Sequence, residues 1–210
     1  MTTDDSTSNG KPDTLSTPAE SSATLGVEAA NPWTRLASKL IYENPWIRIR
    51  EDKVLTPSGS EGIYGLVKFR NRAVAIIPID NEGYTWLVGQ YRYALGDYSW
   101  EVPMGGHPVE LDPLDGAHKE LREETGLRAQ QMTEFLRVQI SNSVTDELGV
   151  AYLAQQLTPG ETDFDDTEQL QIRRLPFDDA IAMCLDGRIQ DLFSIAALQQ
   201  LALRRSEFGV

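Results

Sequence analysis

Apolar and polar residues alternate over residues 46–55, where Ile47, Ile49 and Val54 are interleaved with Arg48, Arg50 and Lys53, the pattern of a half-buried strand. Pro57-Ser58-Gly59 then turns the chain into 63–69, which predicts a hairpin. Residues 73–79 form a continuous apolar run, Asp80-Asn81-Glu82-Gly83 reads as a turn, and 85–91 returns as another strand. A further short strand is predicted over 99–103. Residues 112–125 predict the first helix: Asp112 can cap it, Pro113 suits the first helical position, Asp115 favours the first turn, and Gly126 can stop it. Strands follow over 132–140 and 150–157 around the polar loop 141–147, then a shorter one over 169–175. Residues 177–185 predict a helix with Ala180, Ile181 and Cys184 on one face. Asp191 can cap a last helix whose inner side carries Ile195, Leu198 and Leu201. Strands, one helix, strands and two helices predict an α/β or α+β domain with helices packed on a mixed sheet.

Ahead of these elements, residues 1–31 are mostly Thr, Ser, Asp, Ala, Gly and Pro without an aromatic, and are expected to be a disordered acidic tail. The folded domain is then 32–210, with strands over 32–70 at its start. Across 210 residues, 32 Asp and Glu outweigh 19 Lys and Arg, a net charge of −13. Such a chain offers no broad basic face, which argues against nucleic acid and anionic membrane surfaces as partners. A phosphorylated ligand would need a hard divalent cation between its oxygens and the protein's carboxylates. The single cysteine, Cys184, cannot form an internal disulfide, and no Cys/His spacing suits zinc. No stretch approaches a membrane-spanning length and the N-terminus lacks signal-peptide features, so a cytoplasmic location is expected.

The candidate chemistry lies in the first helix. Glu120, Glu123 and Glu124 stand at i, i+3 and i+4, which puts three carboxylates on one face. Packed like charges destabilise a helix unless a cation joins them, and Mg²⁺ is the economical one. The alternative is a solvated acidic face with Lys119 or Arg122 as counter-charges.

With its flanking glycines this stretch resembles the Nudix hydrolase box, for which Gly105, Glu120, Leu121, Glu123, Glu124, Gly126 and Leu127 are in register. Two positions depart: Leu111 replaces the first Glu, with Glu110 one residue out of register, and Lys119 replaces an Arg that orients the helix carboxylates. Gly89-Gln90-Tyr91-Arg92-Tyr93, Trp100-Glu101-Val102-Pro103-Met104-Gly105-Gly106 and Ser143-Val144-Thr145-Asp146-Glu147 are similar to the ADP-ribose and nucleoside-diphosphate-sugar pyrophosphatases. The resemblance implies a Nudix-fold α/β/α sandwich with a mixed β-sheet and an N-terminal antiparallel strand pair. It implies a homodimer through those N-terminal strands, and hydrolysis of ADP-ribose or a nucleotide sugar to nucleoside monophosphate and sugar phosphate.

Carried over by position, Glu120, Glu123, Glu124 and the Met104 carbonyl would hold Mg²⁺, with Mn²⁺ an alternative. Glu147 would activate the attacking water, making Glu147, Glu120 and Glu124 the catalytic set, and Arg92 would bind the diphosphate. Glu101 is read either as a contact to substrate or supporting residue, or as a surface salt bridge. Trp46 is read either as a base-stacking aromatic, reaching the partner subunit's substrate, or as core. Arg92 as an edge-strand charge and Glu147 as a solvated loop residue are the plainer alternatives. The acidic run from Glu161 to Glu168 is read as solvated loop, although Glu168 matches a loosely shared family acid. His107 and His118 are read as polar surface residues. Leu111 and Lys119 keep open a non-catalytic Nudix module that senses ADP-ribose or nucleotide sugars. An enzyme acting on dinucleoside polyphosphates is a further alternative.

Overall fold

Residues 30–162 and 170–210 are described by the computed structural model. The expected tail up to residue 29, and the acidic run over 163–169 with Glu168, lie outside the described residues. The chain from Trp33 to Val210 folds as one unit.

The predicted hairpin is β2 (Ile47–Leu55) and β3 (Glu61–Phe69), but the expected strand pair is a three-stranded antiparallel sheet, because β1 (Thr34–Glu43) adds to β2. That strand escapes pattern reading for a physical reason. It is exposed at every residue, and irregularities between Arg35 and Ala37 and between Leu40 and Tyr42 break its alternation.

The core is built around β4 (Asn71–Pro78) and β9 (Leu148–Thr158). These pair in parallel at the centre of a sheet whose outer strands are β7 (Met104–Pro108) and β8 (Arg128–Gln139). Val74 and Ile76 of β4, with Val150, Tyr152 and Ala154 of β9, face α1 (Pro113–Thr125) and its Ala117 and Leu121. The alternate residues Ala75, Ile77, Ala151 and Leu153 face the other way. There they meet Leu87 of β5 (Tyr84–Arg92) and Leu175 of β10 (Gln171–Pro176). Phe177 and Met183 of α2 (Phe177–Leu185), and Phe193, Leu198 and Leu201 of α3 (Leu192–Leu203), complete this layer. Burial on both faces is why 73–79 is a continuous apolar run. A third sheet, β10-β5-β6, ends in β6 (Asp97–Glu101), and a short α4 (Arg205–Phe208) that the periodicity did not signal closes the chain.

The single strand expected over 99–103 is corrected to two. The chain leaves β6 at Glu101, and β7 starts in a different sheet at Met104, because Val102-Pro103 carries the crossing and Pro103 has no N–H to donate. The helix signals are realised as read: the Asp112 side chain accepts from the Leu114 N–H, Pro113 is the first helical residue, and Gly126 ends α1 at φ 71°.

Candidate active site

α1 lies against β4 and β7, so the residues that its apolar stripe drags inward include Glu120 and Glu124, 6% and 1% exposed. Glu124 Oε2 accepts the Met104 N–H at 2.9 Å. The Glu120 carboxylate lies directly on Gly105, where any side chain would overlap it. Glycine at the start of β7 is thus the condition for a buried carboxylate to reach the strand backbone. Glu123 does not join that inward pair. Its side chain turns to Arg122, 3.0 Å away, and to Lys119, whose ammonium is 2.7 Å from Glu123 and 3.3 Å from Glu120. Burial alone would lower the Lys119 pKa, but the two carboxylates outweigh it and hold the ammonium charged.

Among the described residues no three His, Cys, Asp or Glu side chains are drawn together as a ready-made metal cage. The lysine spans Glu120 and Glu123 in its place. The donor chemistry nevertheless fits a hard divalent cation: two buried carboxylates on one helical face beside a glycine backbone, with Glu123 one turn away.

Arg92 reaches this region from the end of β5. Its Nε donates to Glu101 Oε1 at 2.9 Å, and a second bond joins its Nη2 to Oε2. Glu101 is 3% exposed, which excludes the surface reading of its salt bridge with Arg92. This bond, followed by the nearby charges of Glu101, Glu124 and Asp191, outweighs burial and raises the arginine's pKa. A buried carboxylate holding an arginine by its fork fixes where the remaining donors point.

Glu147 sits at the end of the 141–147 loop, which β3 holds in place. The Val67 N–H donates to Val144 O at 2.9 Å, the Phe69 N–H donates to Asp146 Oδ1 at 2.9 Å, and Lys68 pairs with Asp146 at 2.9 Å. Burial, with a smaller contribution from the Asp191 charge, pushes the Glu147 carboxyl above the ordinary glutamate value.

One cleft of about 420 Å³ is lined by Trp46, Arg92, Met104, Gly105 and Glu147, with Arg72 alongside. Glu120 and Glu124 back onto Met104 and Gly105 from the helix, and Glu101 holds Arg92. Trp46 is 66% exposed, which excludes the core reading, and it lines its own chain's cleft. Leu111 is 55% exposed just ahead of α1. The surface reading of His107 is corrected. It is 8% exposed beneath α1, where a side chain at Gly116 would come within 2.6 Å of its ring. His118 is exposed as read.

Three contributors were not singled out from the sequence. Arg72, which donates to the Val109 carbonyl, carried no signal. Asp146 latches the loop to Phe69 and Lys68, partners that its place in the 143–147 motif does not reveal. Asp191, whose position before α3 signals a helix cap, also places its charge near Arg92 and Glu147.

The sequence profile of the NUDIX domain matches residues 69–193, and that of the nucleoside diphosphate sugar hydrolase N-terminal domain matches 33–67. The chain is 30% identical to the methanol dehydrogenase activator of Bacillus methanolicus, over 81% of this chain and 93% of that protein. It is 27% identical to the ADP-ribose pyrophosphatase of Bacillus subtilis (strain 168), over the same shares. A crystal structure of an ADP compounds hydrolase superposes with a TM-score of 0.77 at 19% identity, over 87% of this chain and 99% of that one, and shares the fold.

Proposed function

Since this chain belongs to the Nudix family, as the match over residues 69–193 establishes, we propose that it hydrolyses the diphosphate of ADP-ribose or of a nucleoside diphosphate sugar, with Mg²⁺ as cation. It is a hydrolase of pyrophosphate bonds, and Nudix hydrolases use divalent metal cations. The substrate assignment is supported by the similarity to a bacterial ADP-ribose pyrophosphatase and by the N-terminal profile match. The observation that carries the reading is the buried Glu120/Glu124 pair backing onto Met104 and Gly105, which line the cleft together with Arg92 and Glu147.

Glu120 and Glu124 would hold the cation, with Glu123 and the Met104 carbonyl completing its shell and Lys119 giving way to it. A cation bound there neutralises diphosphate oxygens and acidifies a water, which this family's chemistry requires. Arg92, aimed by Glu101, grips phosphate oxygens through the donors that Glu101 leaves. Glu147 takes the proton of the attacking water, and its raised pKa makes it a better base near neutrality than an ordinary glutamate. Trp46 stacks on the base. Nucleoside monophosphate and sugar phosphate leave as products.

The functional unit is read as a homodimer. Leu36, Leu40, Ile41 and Tyr42 of β1 and Ile63 of β3 are all more than half exposed, and such a sheet favours a second copy. A charge of −13 sets this chain apart from binders of nucleic acid polymers. Among the described residues no helix is long and apolar enough to cross a membrane, and we place the protein in the cytoplasm.

The test is a panel of ADP-ribose, ADP-glucose, GDP-mannose and a dinucleoside polyphosphate, with and without Mg²⁺, with products resolved chromatographically. Monophosphate plus sugar phosphate from the first three, lost in Glu124→Gln, is the expected result. Lys119 spanning Glu120 and Glu123 favours one rival, a sensor module that binds such ligands without cleaving them. Ligand binding without turnover of any compound would establish that rival.

A further inference from the structure

The active-site cleft does not end at Arg92. A second cleft of about 610 Å³ shares Arg92 and Met104 with it and runs past Glu101 to the start of α3, between Asp97, Ser99, Gln190 and Asp191. Either volume suits one half of a nucleotide sugar. A diphosphate gripped where the two clefts meet carries one substituent at each end, and each substituent then has a lobe to enter.

The lobes differ in chemistry. On one side Phe69 and Trp46 present aromatic surface, which suits a base. On the other, Asp97, Ser99, Gln190 and Asp191 line the wall together with Leu95 and Leu192, and acceptors set beside apolar carbon suit a polyhydroxylated ring, which has hydroxyl donors and C–H faces. Arg188 stands at the edge of this second lobe, and Asp186 holds its guanidinium, with Nε and Nη2 within 2.9 and 2.7 Å of the carboxylate oxygens.

The walls of this lobe are held by the fold. Asp191 Oδ2 accepts the Ser194 N–H at 2.7 Å, and the fully buried Ser194 Oγ accepts the Val102 N–H at 3.1 Å, which ties the first turn of α3 to the crossing between β6 and β7. Gln190 Nε2 donates to the Gly187 carbonyl at 3.2 Å, and Asp97 Oδ1 accepts the Tyr98 N–H at 2.7 Å. A carboxylate offers about four lone-pair sites, so one backbone bond leaves acceptors for hydroxyl groups. Arg92 and Arg188, which also line the lobe, are each held by a carboxylate of their own, so Asp97 and Asp191 leave an excess of negative charge that repels a further phosphate.

We propose that the lobe between Asp97, Ser99, Gln190 and Asp191 is the subsite for the sugar on the distal phosphate, and that it selects uncharged polyhydroxylated groups over anionic ones. This inference rests on the hydrolase reading above. Its test compares kcat/KM for ADP-ribose with that for methyl-ADP, which keeps the adenosine and the diphosphate and lacks the sugar. The variants are Asp97→Ala, Gln190→Ala and the double change, all at exposed positions, with thermal unfolding confirming that they fold. The double variant is expected to lose about tenfold or more on ADP-ribose relative to methyl-ADP. Product inhibition by ribose 5-phosphate is expected to weaken in parallel. Equal losses on both substrates, or none on either, would overturn the subsite while leaving the hydrolase reading in place. If the unaltered chain with Mg²⁺ cleaves neither compound, the hydrolase reading falls and takes the subsite with it.

Discussion

At the scale of single residues, the site depends on what glycine permits. Gly105→Ala places a methyl group in the Glu120 carboxylate, which must swing away from the strand backbone. We expect divalent-cation affinity, read by titration calorimetry, to fall about 10- to 100-fold, with thermal stability changed far less. An affinity equal to that of the unaltered chain would separate Glu120 from the cation. Asp80 gives a prediction of the opposite kind, on stability alone. Burial pushes its carboxyl up, but the Tyr84 N–H at 3.0 Å, Arg174 Nε at 2.9 Å and the Glu82 N–H at 2.9 Å outweigh burial and leave its pKa below 3.8. A depressed pKa stabilises the fold fully above the unfolded value and less as pH falls through the folded one. Asp80→Asn should therefore cost about 1 kcal/mol in urea unfolding at pH 7, a difference that shrinks below pH 3.8. A gap that is constant with pH would contradict this. Glu120 and Glu124 were legible because helical spacing alone brings them together. The burial of His107 was not, since it depends on Gly116 lying over it across two elements.

At the scale of elements, α1 was readable to its caps because Asp112, Pro113 and Gly126 each act locally. β1 was not, because an exposed strand with two irregularities obeys no one-face pattern. The division of 99–103 between two sheets is likewise a tertiary fact that a single Pro103 only hints at. The helix joins stability to function through Leu121, fully buried one residue from Glu120. Leu121→Ala should cost about 2–5 kcal/mol in chemical denaturation and weaken cation binding as the helix seat loosens. The loop before β9 behaves differently. Asp146 is its latch to Lys68 and Phe69, so Asp146→Ala should lower kcat about tenfold with KM and unfolding temperature little changed. A change in KM alone would mean that the latch shapes binding rather than the placement of Glu147.

At the scale of the whole molecule, three layers serve one cleft. The N-terminal sheet supplies Trp46 and the loop latch, the mixed sheet and α1 supply the carboxylates, and the third sheet supplies Arg92 and Glu101. Sequence spacing located the second of these contributions, whereas the meeting of all three follows from chain crossings that no local pattern encodes. An acidic molecule that binds a diphosphate must recruit positive charge; in the cleft Arg92 is already shared with Glu101 and Arg72 donates to the Val109 carbonyl, which leaves a divalent cation to meet the rest of a diphosphate's charge. Cleavage at the Glu120/Glu124 pair should therefore depend on a divalent metal, and one titration decides it. It is tested most directly by following AMP release from ADP-ribose as Mg²⁺ is titrated into the metal-free chain and into Glu124→Gln. The account predicts saturable activation of the unaltered chain, with a rate at least about 100-fold lower in the variant. AMP release that is independent of Mg²⁺, or equal in the two proteins, would contradict it.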